Sequence, residues 1–400
     1  MSNEAVIIDV LRTPSGRGKP GGALSGIHPA DLLATVLREL VARNDLDPVL
    51  VDDVIGGCVS QVGEQGYNLT RTALLSAGFP DTVPGITIDR QCGSSQQAVA
   101  FAAQGVIAGS YDVVIACGVE SMSRVPLGSS ISGYGSGAQD PAGQRMRERY
   151  PAGLVGQGVS AELINDHWHL GRDELDAFAA RSHRLAAAAT ERGDFAAEIV
   201  PVEAPDGRPI EDDETIRPTT SHASLAGLPP AFRTDRLAER YPDLDWRITA
   251  GNSSPLTDGA SATLIMSAKR AAELGLTPRA RFHGFAVVGS DPLFMLTGVI
   301  PATRRILARA GLSIDDMDAY EVNEAFACVP LVWQQELGAD PARLNPRGGA
   351  IALGHALGSS GTRLLTTLLG QLEATDGRWG LQTMCEGGGM ANATLIERLS

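Results

Sequence analysis

Residues 89–105, DRQCGSSQQAVAFAAQG, place Cys92 where a short β-like run ends and a helical run begins. The run before it is GITID at 85–89, and the Ala/Gln/Val-rich run after it is typical of a helix. A helix start presents unpaired N–H groups and a partial positive charge, which lower the pKa of a cysteine and make it nucleophilic. The small residues after Cys92 leave room for a substrate. The pattern predicts a reactive thiol, although most free cysteines are simply buried hydrophobic residues.

A second stretch near the C-terminus repeats the same order of elements. The runs VDDVIGGCV and IDDMDAYEV begin at positions 51 and 314, and 41 residues after these starts come Cys92 and His355. Each of the two precedes a Gly/Ser cluster and a helical run, and a strand with a further cysteine follows, Cys117 or Cys385. This shared order predicts two copies of a βαβ-type unit. If the copies pack with pseudo-symmetry, Cys92 and His355 face each other across the join.

The composition favours an α/β fold with two or three subdomains. The chain has 400 residues, with 46 glycines and only 5% aromatic residues, so small aliphatic side chains must fill a large core. Strands alternate with helices from AVIIDVLRTP onward, which predicts a mostly parallel, covered sheet. The Gly/Ser- and Pro-rich middle part predicts an inserted subdomain at 124–246, between a first half (1–123 plus 247–275) and a second half (276–400).

Charge and cysteine usage exclude several classes of protein. A net charge of −14 argues against a general nucleic-acid-binding protein. The opening MSNEAVIIDVLRTPSGR lacks the apolar region of a signal peptide, and no later stretch is long and apolar enough to span a membrane. Five dispersed cysteines without a C-x-x-C pair indicate reduced thiols and a cytoplasmic location. Metal-binding patterns such as H-E-x-x-H are absent from the sequence, so no metal site is predicted.

Three further blocks supply the groups that a nucleophilic cysteine needs. His355 lies in the Gly-rich turn GGAIALGHALGSSG and is the candidate base. Asn323 and Glu324 follow an apolar strand in EVNEAFACV, where a loop or cap role is an equally good interpretation. Cys385 precedes three glycines in TMCEGGGMANATL, and the bare N–H groups of such a loop can hold an oxyanion.

Taken together, these blocks resemble the thiolases. DRQCGSSQQA, NEAFA, NPRGGAIALGHALGSSGTR and CEGGG match the catalytic blocks of that family in order, and the resemblance covers essentially the whole chain. It implies an α/β, thiolase-like fold of two repeated halves in a five-layer αβαβα sandwich, with an inserted loop subdomain that covers coenzyme A. It also implies a homodimer or homotetramer, with acyl-CoA and CoA as substrates and no tightly bound cofactor.

The resemblance implies a role for each matching residue. Cys92 would attack the 3-keto carbonyl of a 3-ketoacyl-CoA, His355 would take its proton, and Cys385 would protonate the acetyl-CoA enolate. Free CoA would then release the acyl group from Cys92. Asn323 would hold a water that forms one oxyanion hole with His355, and the backbone N–H groups of Cys92 and Gly387 would form the other.

The resemblance also implies a CoA site in the inserted segment. Arg217 and Ser224 match CoA-contacting positions of the family, and Ser254 matches a pantetheine contact. Lys19 and Lys269 are the only lysines, so Arg or backbone N–H groups must meet an anionic ligand. An arginine suits the phosphates of CoA.

Several positions depart from the family pattern. Ala356 stands where proline usually follows the histidine, so this turn lacks a stiffening ring. Asp89 replaces the usual Asn, Ser or Thr ahead of Cys92. Gln157 and Gly158 replace a common Met-Gly pair that lies near the acyl group in relatives, so the pattern does not indicate a chain length.

One further stretch bears on the direction of the reaction. GGCVSQVGEQGYNLTR resembles degradative thiolases, including actinobacterial enzymes that act on steroid-derived acyl-CoAs. This predicts thiolytic cleavage in fatty-acid or steroid side-chain degradation. Biosynthetic condensation of two acetyl-CoA molecules is the alternative. A non-catalytic, lipid-binding thiolase fold is a remote one, because such relatives tend to lose the NEAF or second-cysteine block and this chain keeps both.

Overall fold

The computed structural model describes residues 4–131 and 141–399; part of the Gly/Ser-rich stretch, 132–140, lies outside the described residues. The strands are β1 (Ala5–Arg12), β2 (Gly16–Arg17), β3 (Asp53–Gly57), β4 (Gly85–Ile88), β5 (Val113–Ser121), β6 (Val202–Glu203), β7 (Pro209–Ile210), β8 (Thr257–Ser267), β9 (Ala280–Gly289), β10 (Ala319–Val322), β11 (Trp379–Glu386) and β12 (Met390–Arg398).

The helices are α1 (Pro29–Arg43), α2 (Leu69–Ser76), α3 (Ser94–Ile107), α4 (Gln144–Arg149), α5 (Gln157–His167), α6 (Arg172–Arg192), α7 (His222–Ala226), α8 (Asp235–Arg240), α9 (Ala268–Glu273), α10 (Val299–Ala310), α11 (Cys328–Leu337), α12 (Ala350–Leu353) and α13 (Ser360–Ala374). Among the described residues, no helix has the length and apolar character needed to cross a membrane.

The two halves of the chain place their strands in the same order. In the first half, β3 pairs parallel with β5, β5 antiparallel with β8, and β8 antiparallel with β1. In the second half, β10, β11, β12 and β9 follow one another with the same directions. β4 extends the first half beyond β3. The predicted internal repeat is confirmed.

Helices separate and cover the two halves of the sheet. The sheet is continuous only through a short pairing of β1 with β9, at Val6–Arg281 and Ile7–Ala280. α3 and α13 lie between the halves, where their apolar residues pack against β1, β5 and β12. α1 and α2 cover the outer face of the first half, and α10 and α11 cover that of the second. This is the predicted five-layer αβαβα arrangement.

The prediction of a mostly parallel sheet is wrong. Antiparallel pairs outnumber parallel ones, because β8 and β12 each run against both of their main neighbours. β12 follows β11 through a turn in which Gly388 and Gly389 have φ of +84° and +78°. A tight turn of this kind joins antiparallel strands, whereas a parallel pair needs a long crossover. In the sequence, the Gly-rich run that makes this hairpin indicates only an anion-binding loop.

Two glycines allow the central elements to approach closely. A Cβ on Gly361 of α13 would overlap the backbone N of Gln96 on α3. A Cβ on Gly118 of β5 would overlap the carbonyl oxygen of Gly358. The loop between α12 and α13, which carries His355, is therefore packed directly against the first half.

The inserted segment packs mainly on the second half. Its helices α5 and α6 contribute Ile164, Leu175 and Phe178 to the core cluster that also contains Val332 of α11. This segment holds α4 to α8 and the β6–β7 hairpin. The predicted boundaries at 123/124, 246/247 and 275/276 stay a prediction.

We expect Gly361→Val to destabilise the protein strongly. Overpacking at a site closed by backbone costs about 1–3 kcal/mol and more when nothing can move aside. Gly227→Ala is the control, because the Cβ position there is open and φ is −81°. Urea unfolding of both variants checks this; equal unfolding midpoints would contradict the close helix contact.

Candidate active site

Cys92 lies on a sharp turn between β4 and α3. Gln91, just before it, has a φ of +50°, which is uncommon for a residue other than glycine. Asp89 Oδ1 accepts a hydrogen bond from the backbone N–H of Gln91 (2.6 Å), and Ser94 Oγ donates to Gln91 O (2.6 Å). These contacts hold the turn, so the predicted strand-to-helix placement of Cys92 is confirmed.

His355 lies in the equivalent place, between α12 and α13. Its Nδ1 is 2.7 Å from Ser360 Oγ, and that hydroxyl donates its proton to Ala356 O at 2.8 Å. Nδ1 must therefore carry the hydrogen and donate to Ser360, which leaves the lone pair on Nε2. The backbone N–H of His355 donates to Thr257 Oγ1 at 2.9 Å. The ring is fixed in the tautomer that a general base requires.

Asn323 links the histidine to the second cysteine. Asn323 Nδ2 is 3.4 Å from His355 Nε2, and the Asn323 side chain lies close enough to Cys385 to lower the pKa of that thiol. Cys385 is close enough to Cys92 for a charge on Cys92 to raise the pKa of Cys385, although burial is the main cause of that shift. The structure thus brings together all four predicted catalytic side chains. The buried Asn323 Oδ1 has no hydrogen-bond partner among the described residues.

Glu324 serves the structure of the NEAFA loop. The fully buried carboxylate accepts hydrogen bonds from Ser182 Oγ (2.7 Å), Asn345 Nδ2 (2.8 Å) and Ile351 N (3.1 Å). These donors come from α6, the loop before α12 and α12 itself. Glu324 therefore holds the Asn323 loop to the segment that leads to His355.

The resting site is neutral rather than an ion pair. Burial raises the pKa of Cys92 to about 12, which the Gln157 amide opposes and the nearby Glu386 reinforces. Burial lowers the pKa of His355 to about 3, and the charge of Arg363 lowers it further. The expectation that the helix start lowers the pKa of Cys92 is not met, because burial outweighs the partial charge of the helix. The thiol and the imidazole face the reaction uncharged.

Glu386 was missed in the sequence. It is buried between Cys385 and Gly387, and a Cβ on Gly93 would overlap its Oε1. Neither carboxyl oxygen has a hydrogen-bond partner among the residues that the structure describes. Burial raises the pKa of Glu386 to about 8, so the group is mostly protonated at neutral pH. The sequence did carry a signal for it, because the charged Glu386 lies directly between Cys385 and Gly387, two candidate site residues.

The remaining predicted residues lie around this centre. Gly387 starts the β11–β12 turn, and its Cβ position is 2.9 Å from Gln91 Oε1, beside the Cys92 turn. Ser254 donates from N and Oγ to Ala325 O, at 3.0 and 3.1 Å. It therefore lies beside the NEAFA block.

The two predicted CoA contacts in the inserted segment are exposed. The backbone N–H of Arg217 donates to His183 Nδ1 at 3.2 Å, which leaves the guanidinium at the surface. Ser224 lies on α7, where its Oγ donates to Ser221 O at 2.8 Å. Their role in CoA binding stays a prediction.

We expect Glu386→Gln to flatten the pH dependence of stability. The pKa of Glu386 is about 8 in the folded protein against 4.5 as its ordinary value, so the folded state binds the extra proton. The stability that this group contributes is therefore lost as pH rises from 4.5 to 8, by up to about 1.4 kcal/mol per pH unit.

Urea unfolding at several pH values between 5 and 8 would measure this difference. The exposed substitution Glu39→Gln is the control and should keep the wild-type slope. If the free energy of unfolding of Glu386→Gln changed with pH as it does in the wild type, Glu386 would not be a buried carboxyl with a raised pKa.

Comparison with known proteins shows the family of this chain. Residues 5–269 match the N-terminal domain of thiolase, and residues 276–398 match its C-terminal domain. Steroid 3-ketoacyl-CoA thiolase FadA6 of Mycobacterium tuberculosis is 48% identical over 399 residues, which cover 99% of this chain and 94% of that protein. The 3-ketoacyl-CoA thiolase of Photobacterium profundum is 43% identical over 99% of this chain and 100% of its own length.

A solved structure shows the same fold. The acetyl-CoA acetyltransferase of Bacillus anthracis superposes with a TM-score of 0.88 at 37% sequence identity, covering 100% of this chain and 99% of that one. Both thiolase domains are present in sequence order, and the layers and repeated halves agree with them. The chain belongs to the thiolase family and is an acyltransferase.

Proposed function

We propose that this thiolase cleaves 3-ketoacyl-CoA with free CoA, in fatty-acid or steroid side-chain degradation. The observation that carries the proposal is the convergence of Cys92, His355, Asn323 and Cys385 in one buried site. Relatives that are 42–48% identical over nearly the whole chain bear the name 3-ketoacyl-CoA thiolase, one of them with a steroid substrate. The direction and the substrate class are inferred from these names.

The proposed reaction starts at Cys92. Its Sγ attacks the 3-keto carbon while His355 Nε2 accepts the thiol proton. The bond between the 2- and 3-carbons then breaks, and its electron pair forms the enolate of acetyl-CoA. Cys385 donates a proton to that carbon, which releases acetyl-CoA. The Cys385 thiolate takes the proton of a second CoA thiol, whose sulfur attacks the carbonyl of acyl-Cys92. The bond between the acyl group and Cys92 breaks, and the departing Cys92 sulfur takes back the proton held on His355.

Two groups of donors would stabilise the oxyanions of these steps. Asn323, with a water and His355, would hold one, and the backbone N–H groups of Cys92 and Gly387 would hold the other. Each such site is worth roughly 3 kcal/mol of transition-state stabilisation. The unpartnered Oδ1 of Asn323 supports the first assignment, since it can orient a water beside the histidine.

CoA itself would lie along the inserted segment. We infer that Arg217 and Ser224 contact its polar part and that Ser254, beside the NEAFA block, contacts pantetheine. CoA is then a substrate that enters and leaves in each cycle. The exposed guanidinium of Arg217 supports this, because it is free of the ion pairs seen for many other described arginines.

Biosynthetic condensation is the second candidate, because the chemistry is reversible. The superposition with an acetyl-CoA acetyltransferase keeps it open. A non-catalytic lipid-binding role is weaker, since Asn323 and Cys385 both lie in the site with His355 and Cys92. Comparing kcat/KM for acetoacetyl-CoA with that for longer and bulkier 3-ketoacyl-CoAs separates the two catalytic candidates.

We also infer a homodimer, or a homotetramer built from dimers. β4 is an edge strand, and Ile86 on it is 47% exposed. Tyr67 is fully exposed, and the next residue, Asn68, donates from Nδ2 to Gly85 O of β4. An open, apolar strand edge is an efficient pairing surface for a second copy. A cytoplasmic location likewise stays a proposal.

We expect Cys385→Ala to separate the two half-reactions. Acyl transfer between CoA and Cys92 needs no proton at carbon, so exchange of labelled CoA into acetyl-CoA should persist. Cleavage of acetoacetyl-CoA should fall by about 100-fold or more, because the enolate carbon of the leaving acetyl-CoA has no proton donor in this variant. Cys92→Ala should abolish both reactions.

The adduct gives a direct check of the nucleophile. Without free CoA, acetoacetyl-CoA should leave an acetyl group on Cys92, located by peptide mass spectrometry and removed by adding CoA. Cys117→Ala, at a buried cysteine on β5, is the matched control and should behave like wild type. An adduct on another cysteine would contradict the assignment.

We expect Ile86→Lys to weaken self-association. A charge at the centre of the proposed strand pairing is unfavourable, so the molar mass measured by light scattering should fall toward that of one 41.9 kDa chain. An unchanged mass would argue against this edge as the interface.

A further inference from the structure

Gln157 is held firmly at the start of α5. The next residue, Gly158, has no room for a side chain, because a Cβ there would overlap the ring of Phe232. Phe232 in turn packs edge-to-face on Phe326 of the NEAFA block, with ring centroids 5.8 Å apart. The start of α5 is therefore positioned by the same block that carries Asn323.

The side-chain amide of Gln157 points at the candidate nucleophile. Its Nε2 lies 4.0 Å from Cys92 Sγ, within the range of an N–H···S contact. The same atom is 3.4 Å from the Cβ position of Gly387, so it lies between the thiol and the β11–β12 turn. The other glutamine here, Gln91, differs because its Nε2 faces the carboxylate of Asp89, 3.3 Å from each oxygen.

Apart from the backbone N–H of Cys92 itself, the other influences on this thiol disfavour a thiolate. The thiol is buried, and Glu386 from β11 and Glu120 from β5 oppose a negative charge on it whenever they are ionised. Cys385 is a further ionisable thiol nearby. The Gln157 amide is the largest single influence that favours the charged form. An amide is neutral at any working pH, so this donor is always available.

We propose that Gln157 is a further catalytic residue, whose amide N–H donates a hydrogen bond to Cys92 Sγ and stabilises the thiolate. The inference rests on the proposed role of Cys92 as the nucleophile. The bond strengthens as the thiol proton passes to His355, because a charged acceptor makes a stronger hydrogen bond than a neutral one. The same N–H stabilises the thiolate again when CoA displaces the acyl group.

Alkylation of Cys92 tests this without any turnover. Purified full-length protein is treated with iodoacetamide at a series of pH values, and modification of Cys92 is followed by peptide mass spectrometry. Below the pKa of the thiol, the rate is proportional to the thiolate fraction. Gln157→Leu removes the donor, and Gln157→Glu keeps the shape while replacing the donor with an acceptor. Gln335→Leu, exposed on α11, is the matched control.

We expect both Gln157 variants to alkylate about three- to tenfold more slowly than wild type at a given pH, with Glu the slower. Gln335→Leu should match wild type. If Gln157→Glu alkylated at the wild-type rate while Gln157→Leu was slow, the effect would be packing, and the proposal would fail. Wild-type rates in both variants would also overturn it.

A failure of the proposed thiolase function would appear in the cleavage assay and not in the alkylation rates. If wild-type protein cleaved none of the 3-ketoacyl-CoAs tested, the thiolase proposal would fail. The alkylation rates would still report the Gln157–Cys92 contact. If the variants slowed alkylation and also lowered kcat with little change in KM, both proposals would stand.

Discussion

The join between the two halves depends on Glu120. This fully buried carboxylate accepts hydrogen bonds from Val59 N and Gly358 N, both at 2.9 Å, from Ser60 N at 3.0 Å and from Gln65 Nε2 at 2.8 Å. Gly358 belongs to the His355 loop of the second half, whereas the other donors follow β3 of the first. This side chain therefore ties the loop of the base to the half that carries Cys92, together with the hydrogen bond from His355 N–H to Thr257 Oγ1. Without Glu120, the backbone N–H groups of Val59, Ser60 and Gly358 would lose their acceptor, at a cost of about 1–3 kcal/mol for each that is buried.

The site gains its chemistry from burial more than from charge. Cys92, Cys385 and His355 are all buried, and burial is the main cause of the shifted pKa of each. Enclosing neutral groups costs little free energy, and in the proposed reaction charge appears only as the proton moves from sulfur to nitrogen. At that moment, fixed donors such as the Gln157 amide would act in a medium of low dielectric, where a hydrogen bond to a thiolate is strong.

The repeat and the motifs could be predicted because they are local or periodic. The 41-residue spacing of Cys92 and His355 from equivalent starts indicated two equivalent helix starts, and β3–α3–β5 and β10–α13–β11 have that order. The direction of the strands was not predictable in the same way. The glycines that form the β11–β12 hairpin are equally typical of an anion-binding loop, so the sequence does not indicate an antiparallel turn there. Ser360 was passed over, since nothing in a Gly/Ser cluster marks the one hydroxyl that sets the tautomer of a histidine.

By itself, the sequence determined the fold class and the two halves, and it marked four candidate catalytic side chains, since each lies in a distinctive block. Only the tertiary structure decided their ionisation. The helix start at Cys92 favoured a lowered pKa, but complete burial raises it, and burial depends on packing between distant segments. Glu386 and Gln157 also acquired their surroundings only in the fold. They come from β11 and α5, far apart in the chain, and meet the Cys92 turn because the two halves close around it.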